Sequence, residues 1–291
     1  MTTAPIDGHP RHARKKGGRN PRLAFDRTGS GAPLVLLHGQ GFSRRAWDPV
    51  VAPLAAHRDI IAVDLPGHGE SPRQPRDTGN TPHDLAVAVA ELLDDLDVAT
   101  ADIAGNSSGG WAALELGRLG RARTVTALAP AGLWNRGAPV HVRLGMRQAR
   151  LNARIVRRLF PQAPRSRAGR ALATAQVAGN PFRMPYQPVH DCLHALATAP
   201  GFRETLRALE KTRFTDGAAI TVPVTVAFGT RDRVLLPGIA RHRGQLPDQT
   251  RWVRLRGCGH LPWLDDPDAV VDLLLRAADP TTAPEVGKPI R

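Results

Sequence analysis

Six short apolar runs recur along the chain, most of them ending in Gly or Pro and separated by segments of helical periodicity. In most of these runs apolar side chains occupy consecutive positions, which is typical of strands buried on both faces. Such strands form parallel sheets with helices packed on both sides. The pattern therefore predicts a doubly wound α/β domain, with strands at 33–39, 59–67, 101–105, 125–130, 222–229 and 251–257.

Between the runs, the segments 84–96, 111–119 and 268–278 have the apolar spacing of amphipathic helices. The alternation stops between about residues 132 and 214, where the pattern is helical, rich in Arg and interrupted by prolines. The strand pattern resumes at Val222. An insertion of this size predicts a helical cap over the carboxyl edge of the sheet, where doubly wound folds build their sites.

The chain is accordingly divided into five parts. Residues 1–22 are polar, basic and punctuated by Gly and Pro, which indicates a disordered arm. Residues 23–132 and 216–279 are the two parts of the α/β core. The helical, Arg-rich cap occupies 133–215 between them, and 280–291 form a loose tail.

The positive charge is concentrated in two of these parts. The formal net charge is +14, of which residues 1–22 contribute roughly +5 and residues 133–215 roughly +12. The basic excess thus lies outside the parts predicted to carry the chemistry. A general bias toward Arg, Ala, Pro and Gly explains it equally well.

Other features limit the class of protein. No run approaches the roughly 18 apolar residues that a membrane-spanning helix needs, and no apolar segment follows the basic start as in a signal peptide. The only cysteines, Cys192 and Cys258, are too few for a disulfide framework and have no metal-ligand spacing around them. We therefore expect a cytoplasmic protein without a metal site.

One motif points to a nucleophile. The segment 105–110, Gly-Asn-Ser-Ser-Gly-Gly, follows a predicted strand, opens a predicted helix and matches the G-x-S-x-G elbow. A sharp strand-to-helix turn brings backbones together, so only small residues fit at Gly105 and Gly109. Ser107 is then raised above the sheet edge at a helix N-terminus, which favours developing negative charge. Ser108, its neighbour, fits the small-residue frame less well.

A serine needs a base within hydrogen-bond reach, and the base needs an orienting acid. In folds with this elbow the chain order is Ser, acid, His. Asp232 follows one predicted strand and His260 follows the next, so both lie at carboxyl ends of the sheet. The segment 129–132 after an earlier strand offers no carboxylate. Histidines that precede the nucleophile are poorer candidates for the base; these include His38, His57, His68 and His83.

The tetrahedral intermediate of acyl transfer also needs hydrogen-bond donors for its oxyanion. The backbone N–H of Ser108, directly after the nucleophile, is one expected donor. The second is expected from the loop that follows the first apolar run, residues 38–42, which we call the His38 loop. Gln40 is the favoured donor, with Gly41 and Phe42 as alternatives.

Residues 23–278 resemble the α/β-hydrolase family. The resemblance implies a mostly parallel eight-stranded sheet with helices on both faces, a helical cap and an acyl-enzyme mechanism without cofactors. It also implies that Ser107 attacks, His260 transfers the proton and Asp232 fixes the imidazole tautomer. Five segments carry it in the family's order: 36–41 (Leu-Leu-His-Gly-Gln-Gly), 63–71 (Val-Asp-Leu-Pro-Gly-His-Gly-Glu-Ser), 105–110, 229–232 (Gly-Thr-Arg-Asp) and 257–262 (Gly-Cys-Gly-His-Leu-Pro). Within 63–71, Asp64 and His68 match a structural loop.

The predicted function is cleavage of a carboxylic ester, lactone or thioester, with a small-molecule substrate. Ser in place of Asp at the elbow argues against the haloalkane dehalogenase and epoxide hydrolase branches. Hydrolases of vinylogous diketone C–C bonds share the elbow form, but they are expected to carry Trp directly after the catalytic His, and here Leu261 and Pro262 precede Trp263. Lyase or perhydrolase chemistry on the same triad, and a non-catalytic ligand-binding protein, remain the alternatives.

The predicted cap contains a basic amphipathic helix. Its arginines recur on one face and its large apolar side chains on another: Arg143, Arg147, Arg150, Arg154 and Arg157, with Leu144, Leu151, Ile155 and Leu159. Such a helix binds an anionic substrate, an acidic partner or an acidic lipid surface, unless it is simply a solvated face. Nucleic acid is not expected, because aromatic residues do not interleave the basic run.

Overall fold

The computed structural model describes residues 23–74 and 79–278. The predicted basic arm, 1–22, and the predicted tail, 280–291, lie outside the described residues.

A seven-stranded sheet forms the centre of the described chain, in the order β1-β3-β2-β4-β5-β6-β7. All neighbouring strands run parallel except β1 and β3, which are antiparallel. The six apolar runs are β2 to β7, so the predicted mostly parallel sheet is confirmed, with seven described strands in place of eight. The strands are β1 (Phe25–Gly29), β2 (Pro33–Leu37), β3 (Asp59–Val63), β4 (Ala101–Asn106), β5 (Ala122–Leu128), β6 (Val224–Gly229) and β7 (Arg251–Leu255).

Nine α-helices accompany this sheet in the described ranges. The three helices expected from periodicity are present, each beginning within three residues of its expected start; α2 begins earlier because Thr81 and Asp84 form a capping box ahead of it. None of the described helices is both long and apolar enough to cross a membrane. The helices are α1 (Asp48–Ala55), α2 (Pro82–Asp95), α3 (Ser108–Arg118), α4 (Val140–Leu159), α5 (Arg167–Thr174), α6 (Tyr186–Thr198), α7 (Phe202–Lys211), α8 (Pro262–Asp265) and α9 (Pro267–Ala277).

Both faces of the sheet are buried. On β2, Val35 and Leu37 belong to one apolar cluster, together with side chains of α2 and α3. The alternate residues Leu34 and Leu36 belong to a second cluster with side chains of α1 and α9. Successive side chains of a strand point to opposite faces, so a run that is apolar at every position is the expected consequence of this packing.

The segment 133–215, which we call the insertion, joins β5 to β6 and contains α4 to α7. It lies against loops at the carboxyl edge of the sheet. Phe202, at the start of α7, packs so close to Gly41 that a Cβ on that glycine would lie 3.1 Å from the ring. The N–H of His260 donates to the carbonyl of Val177, in the insertion, at 2.7 Å.

The two cysteines are separate free thiols. Burial raises the pKa of each thiol to about 12, and Cys258 is 1% exposed. Since the thiolate is the reactive form, we expect the native protein at pH 8 to react slowly with an aromatic disulfide reagent and both thiols to react at once in urea. Rapid reaction of Cys258 in the native protein would contradict this burial.

Candidate active site

Ser107 is the turn between β4 and α3. Its backbone has φ 54° and ψ −116°, a left-handed φ that costs a residue with a Cβ energy and persists only where surrounding contacts enforce it. Those contacts are present. The Ser107 N–H donates to the carbonyl of Leu128 at 3.0 Å, and its carbonyl accepts from Trp111 at 3.0 Å and from Ala131 at 2.9 Å.

Two glycines make this turn sterically feasible. A Cβ on Gly105 would lie 2.1 Å from the carbonyl oxygen of Gly109, and a Cβ on Gly109 would lie 2.4 Å from the carbonyl oxygens of Leu37 and His38. No real side chain tolerates such distances, so larger residues at either position require the backbone to move. The spacing of the motif is thus a packing requirement of the elbow.

Asp232 and His260 follow β6 and β7, and the structure brings them together. His260 Nδ1 lies 3.1 Å from Asp232 Oδ2, while Asp232 Oδ1 accepts from the N–H groups of Val234 at 2.8 Å and Leu235 at 3.0 Å. Burial disfavours the charged carboxylate, but the imidazole and the two N–H groups outweigh it and hold the pKa of Asp232 below its usual value. The ionised carboxylate therefore accepts from Nδ1–H.

Asn106 connects this pair to the elbow. Its side-chain Nδ2 donates to the carbonyl of His260 and to that of Leu128, both at 3.0 Å. His260 is thereby placed beside the residue that precedes Ser107. Within the described ranges no hydrogen bond joins Ser107 Oγ to His260; such bonds are often long without substrate. Sequence reasoning did not single out Asn106, because its role depends on a carbonyl 154 positions away.

The His38 loop lies against the elbow. A Cβ on Gly39 would be 3.3 Å from Ser107 Cβ. Among the alternative donors, Phe42 already donates its N–H to the carbonyl of Gly39 at 3.1 Å. For the N–H groups of Gln40 and Gly41 no acceptor occurs in the described part of the chain, so the structure does not separate these two. Ser108 opens α3, where the first N–H groups have no intrahelical partner.

His38, the first residue of this loop, and His68 are both buried. His38 donates from Nδ1 to the carbonyl of Gly39 at 2.8 Å and accepts at Nε2 from the N–H of Leu65 at 3.0 Å. Burial lowers the pKa of His38 to about 4, and burial together with the neighbouring His38 lowers that of His68 to about 3. Both rings are neutral at pH 7, and His38 uses both nitrogens to hold the loop.

Arg44, two residues after the His38 loop, links this part of the chain to Asp64, the residue after β3. Its backbone N–H donates to Asp64 Oδ1 at 2.6 Å, and its guanidinium pairs with Asp64, with Asp26 at 2.9 Å and with Glu70 at 2.9 Å. Burial disfavours this cation, yet the carboxylates outweigh burial and raise the pKa of Arg44. Sequence reasoning placed Asp64 in a structural loop but missed Arg44, since no local pattern marks its partners.

Trp263, the residue relevant to the C–C hydrolase alternative, lies in the core. It is 1% exposed, and its ring centroid is 4.3 Å from that of Trp47. Trp263, a residue of α8, therefore packs against Trp47, the residue that precedes α1.

A mostly parallel, doubly wound sheet with a strained strand–turn–helix at its carboxyl edge is the architecture of α/β-hydrolase-fold enzymes. The chain belongs to the alpha/beta hydrolase family, whose model matches residues 34–273. The predicted family and the prediction of an enzyme are confirmed.

Relatives of known name span several activities. Epoxide hydrolase EphH of Mycobacterium tuberculosis is 34% identical over 196 residues, which are 65% of this chain and 91% of the relative. A thermophilic esterase from Thermogutta terrifontis superposes with a TM-score of 0.66 at 23% identity, covering 88% of this chain and 94% of the other. An enol-lactonase from Burkholderia xenovorans superposes with a TM-score of 0.67 at 22% identity, covering 87% and 95%. These two superpositions show the shared fold.

Proposed function

We propose that the protein is a serine hydrolase that cleaves a carboxylic ester, lactone or thioester through an acyl-enzyme. The observation that carries the proposal is the left-handed backbone of Ser107, at φ 54°, beside a buried Asp232–His260 pair. A strained nucleophile position at the start of a helix is a feature of function rather than of folding, since folding alone would favour Gly there.

In the first step Ser107 Oγ attacks the substrate carbonyl carbon while His260 Nε2 takes the hydroxyl proton. Asp232 Oδ2 accepts from Nδ1–H and stabilises the imidazolium that forms. The carbonyl oxygen becomes an oxyanion and receives hydrogen bonds from the N–H groups of Gln40 and Ser108. As the tetrahedral intermediate collapses, the bond to the leaving oxygen or sulfur breaks and His260 returns the proton to that atom.

In the second step water takes the role of nucleophile that the serine hydroxyl had in the first. His260 Nε2 takes a proton from the water, the resulting hydroxide attacks the acyl carbon, and the same two N–H groups stabilise the second oxyanion. Collapse releases the carboxylic acid and returns the proton to Ser107 Oγ. No cofactor enters either step.

Serine is also the reason for proposing carbonyl chemistry although one relative is named an epoxide hydrolase. A carboxylate that opens an epoxide forms an ester, which water then cleaves. A serine hydroxyl that opened an epoxide would form an ether, and attack by water does not readily reverse an ether. Ser107 therefore supports acyl transfer as the reaction of this chain.

The test is labelling with a fluorophosphonate probe followed by mass spectrometry of the modified peptide. We expect a covalent adduct on Ser107 and none in Ser107→Ala, whereas Ser108→Ala retains its backbone N–H and takes the label at Ser107. A panel of esters of increasing acyl length then defines the substrate class. An unlabelled wild-type protein would contradict the proposal and favour a non-catalytic ligand-binding member of the fold.

A further inference from the structure

The helix α4 has apolar side chains on two opposite faces. One face packs inward: Ala153 is fully buried and lies in a small cluster with Leu196 and Phe202, against which Met146 and Ala149 also pack. The other face points to solvent. Its residues, which we call the apolar face of α4, are Val140 (59% exposed), Leu144 (59%), Leu151 (52%), Ile155 (39%) and Leu159 (63%).

Helix geometry places these five residues on one face. At 3.6 residues per turn their positions fall within an arc of about 100°, which also contains Gln148 and Arg158 and lies opposite the arc that contains Ala149 and Ala153. The outer face of a helix packed on a globular domain is normally polar. Folding of this domain therefore does not account for the apolar face of α4.

Exposed apolar side chains concentrate in the insertion. Of the twelve large hydrophobic side chains exposed in the described part of the chain, eight lie between 140 and 182. Scattered single residues of this kind are ordinary, but a concentration on one segment indicates an interaction surface. Besides the apolar face of α4, the eight include Phe160, Leu172 and Phe182.

The first part of the insertion, residues 133–190, which holds these eight side chains, carries no negative charge, since it contains no Asp or Glu. Within the described ranges only one arginine of that segment forms an ion pair, Arg147 with Glu210. One of the five arginines of the predicted basic face, Arg150, is buried over the ring of Phe202, so the exposed basic face is smaller than expected. The arginines of the segment are Arg136, Arg143, Arg147, Arg150, Arg154, Arg157, Arg158, Arg165, Arg167, Arg170 and Arg183.

The basic side chains of α4 lie beside its apolar face. Arg158 lies at one edge of the apolar arc, in line with Val140, and Arg154 lies about 40° beyond that edge; both are exposed. A helix with an exposed apolar stripe, a cationic flank and no acidic residue has the composition of helices that lie in the plane of a membrane interface. Its apolar side chains enter the acyl boundary while the arginines bind lipid phosphates.

The charge also argues against a second copy of the chain as the partner that covers the apolar face of α4. A twofold interface brings the same patch of both protomers together, and here that would oppose unpaired arginines with no carboxylate between 133 and 190 to neutralise them. An anionic lipid surface satisfies both the apolar stripe and its cationic flank.

We propose that the apolar face of α4, with its flanking arginines, docks the protein on an anionic lipid surface. This surface is independent of Ser107 and its partners, so docking and catalysis are separable. Docking in this way places the insertion against the lipid, whereas the edge of the sheet that carries β1 does not contact it.

Vesicle sedimentation tests the proposal with the full-length protein. Vesicles of equal parts phosphatidylglycerol and phosphatidylcholine should bind at least tenfold more wild-type protein than vesicles of phosphatidylcholine alone. Leu151→Ser/Leu159→Ser should lower that binding at least tenfold, and Arg154→Gln/Arg158→Gln should lower it and weaken its salt dependence. The matched control is Val87→Ser/Leu119→Ser, two exposed apolar residues outside the insertion, which should bind as wild type does.

Three results would overturn the proposal. The first is equal binding of both vesicle types. The second is binding that survives the leucine variant but disappears in Arg14→Gln/Lys15→Gln/Lys16→Gln, which assigns it to the N-terminal basic segment. The third is a wild-type dimer that Leu151→Ser/Leu159→Ser converts to monomer without any vesicle binding, which assigns the face to a second copy. Circular dichroism of each variant separates loss of binding from loss of fold.

Discussion

Replacing Asp232 by Asn is expected to lower kcat about 10⁴-fold while the fold is retained. The reason lies in the two oxygens of the carboxylate. Oδ1 accepts from the N–H groups of Val234 and Leu235, so the amide oxygen of Asn takes that position and its NH2 faces His260 Nδ1. The imidazole must then accept at Nδ1 and carry its proton on Nε2, which cannot take a proton from Ser107 in that tautomer.

The measurement is kcat and KM for an ester that the wild type cleaves, with Asp248→Asn as the matched control because Asp248 lies in an exposed loop. KM should change little, since Asp232 acts through His260 and does not touch substrate. A loss of less than tenfold would mean that Asp232 does not orient the base. An unchanged Tm in thermal unfolding would show that the loss of kcat does not come from a loss of the fold.

Arg44→Met is expected to lower the free energy of unfolding by about 3–5 kcal/mol, the usual cost of removing one member of a buried ion pair. Asp64 is fully buried, and Arg44 is its ion-pair partner. Without the guanidinium, the Asp64 carboxylate still accepts hydrogen bonds from the backbone N–H groups of residue 44 and Glu70. It loses, however, the positive charge that balances its own. Methionine replaces the aliphatic stem of arginine, so the packing of that stem is largely retained while the guanidinium is lost.

Urea unfolding of Arg44→Met and of Arg45→Met provides the comparison, because Arg45 is the exposed neighbour on the same turn. The control should change by less than about 0.5 kcal/mol. Arg44→Met/Asp64→Asn should lose less than the sum of the two single variants, since residues in contact are not additive. Equal stability of Arg44→Met and Arg45→Met would show that the buried cluster contributes nothing.

Local patterns predicted the parts of the fold that depend on local chemistry. The runs that became β2 to β7 are apolar because each strand is covered on both faces, a property visible one segment at a time. The elbow was predictable for the same reason. Gly105 and Gly109 are needed because the backbone of residues within five positions, and of one neighbouring strand, comes too close for a side chain. The carboxyl-edge positions of Asp232 and His260 followed from strand order.

Features that depend on distant contacts were not predictable. β1 is a half-exposed edge strand with the polar composition of a loop, and it exists because it pairs with β3. α1 contains Pro53 and lacks strong periodicity. The sequence pattern of α4 shows that arginines and leucines occupy different faces, but packing on α6 decides that Ala153 is buried and Leu151 exposed.

The hydrogen bond from the His260 N–H to the Val177 carbonyl has a consequence for how this enzyme can diversify. Because the contact is made by main chain, almost any side chain at position 177 preserves it, whereas a change in loop length there removes it. Gly179 and Gly259 meet at the same place, where a Cβ on Gly259 would lie 2.3 Å from the Val177 oxygen. An engineer who exchanges the helices of the insertion for those of a relative should therefore transplant α4 to α7 around a retained 177–180 segment.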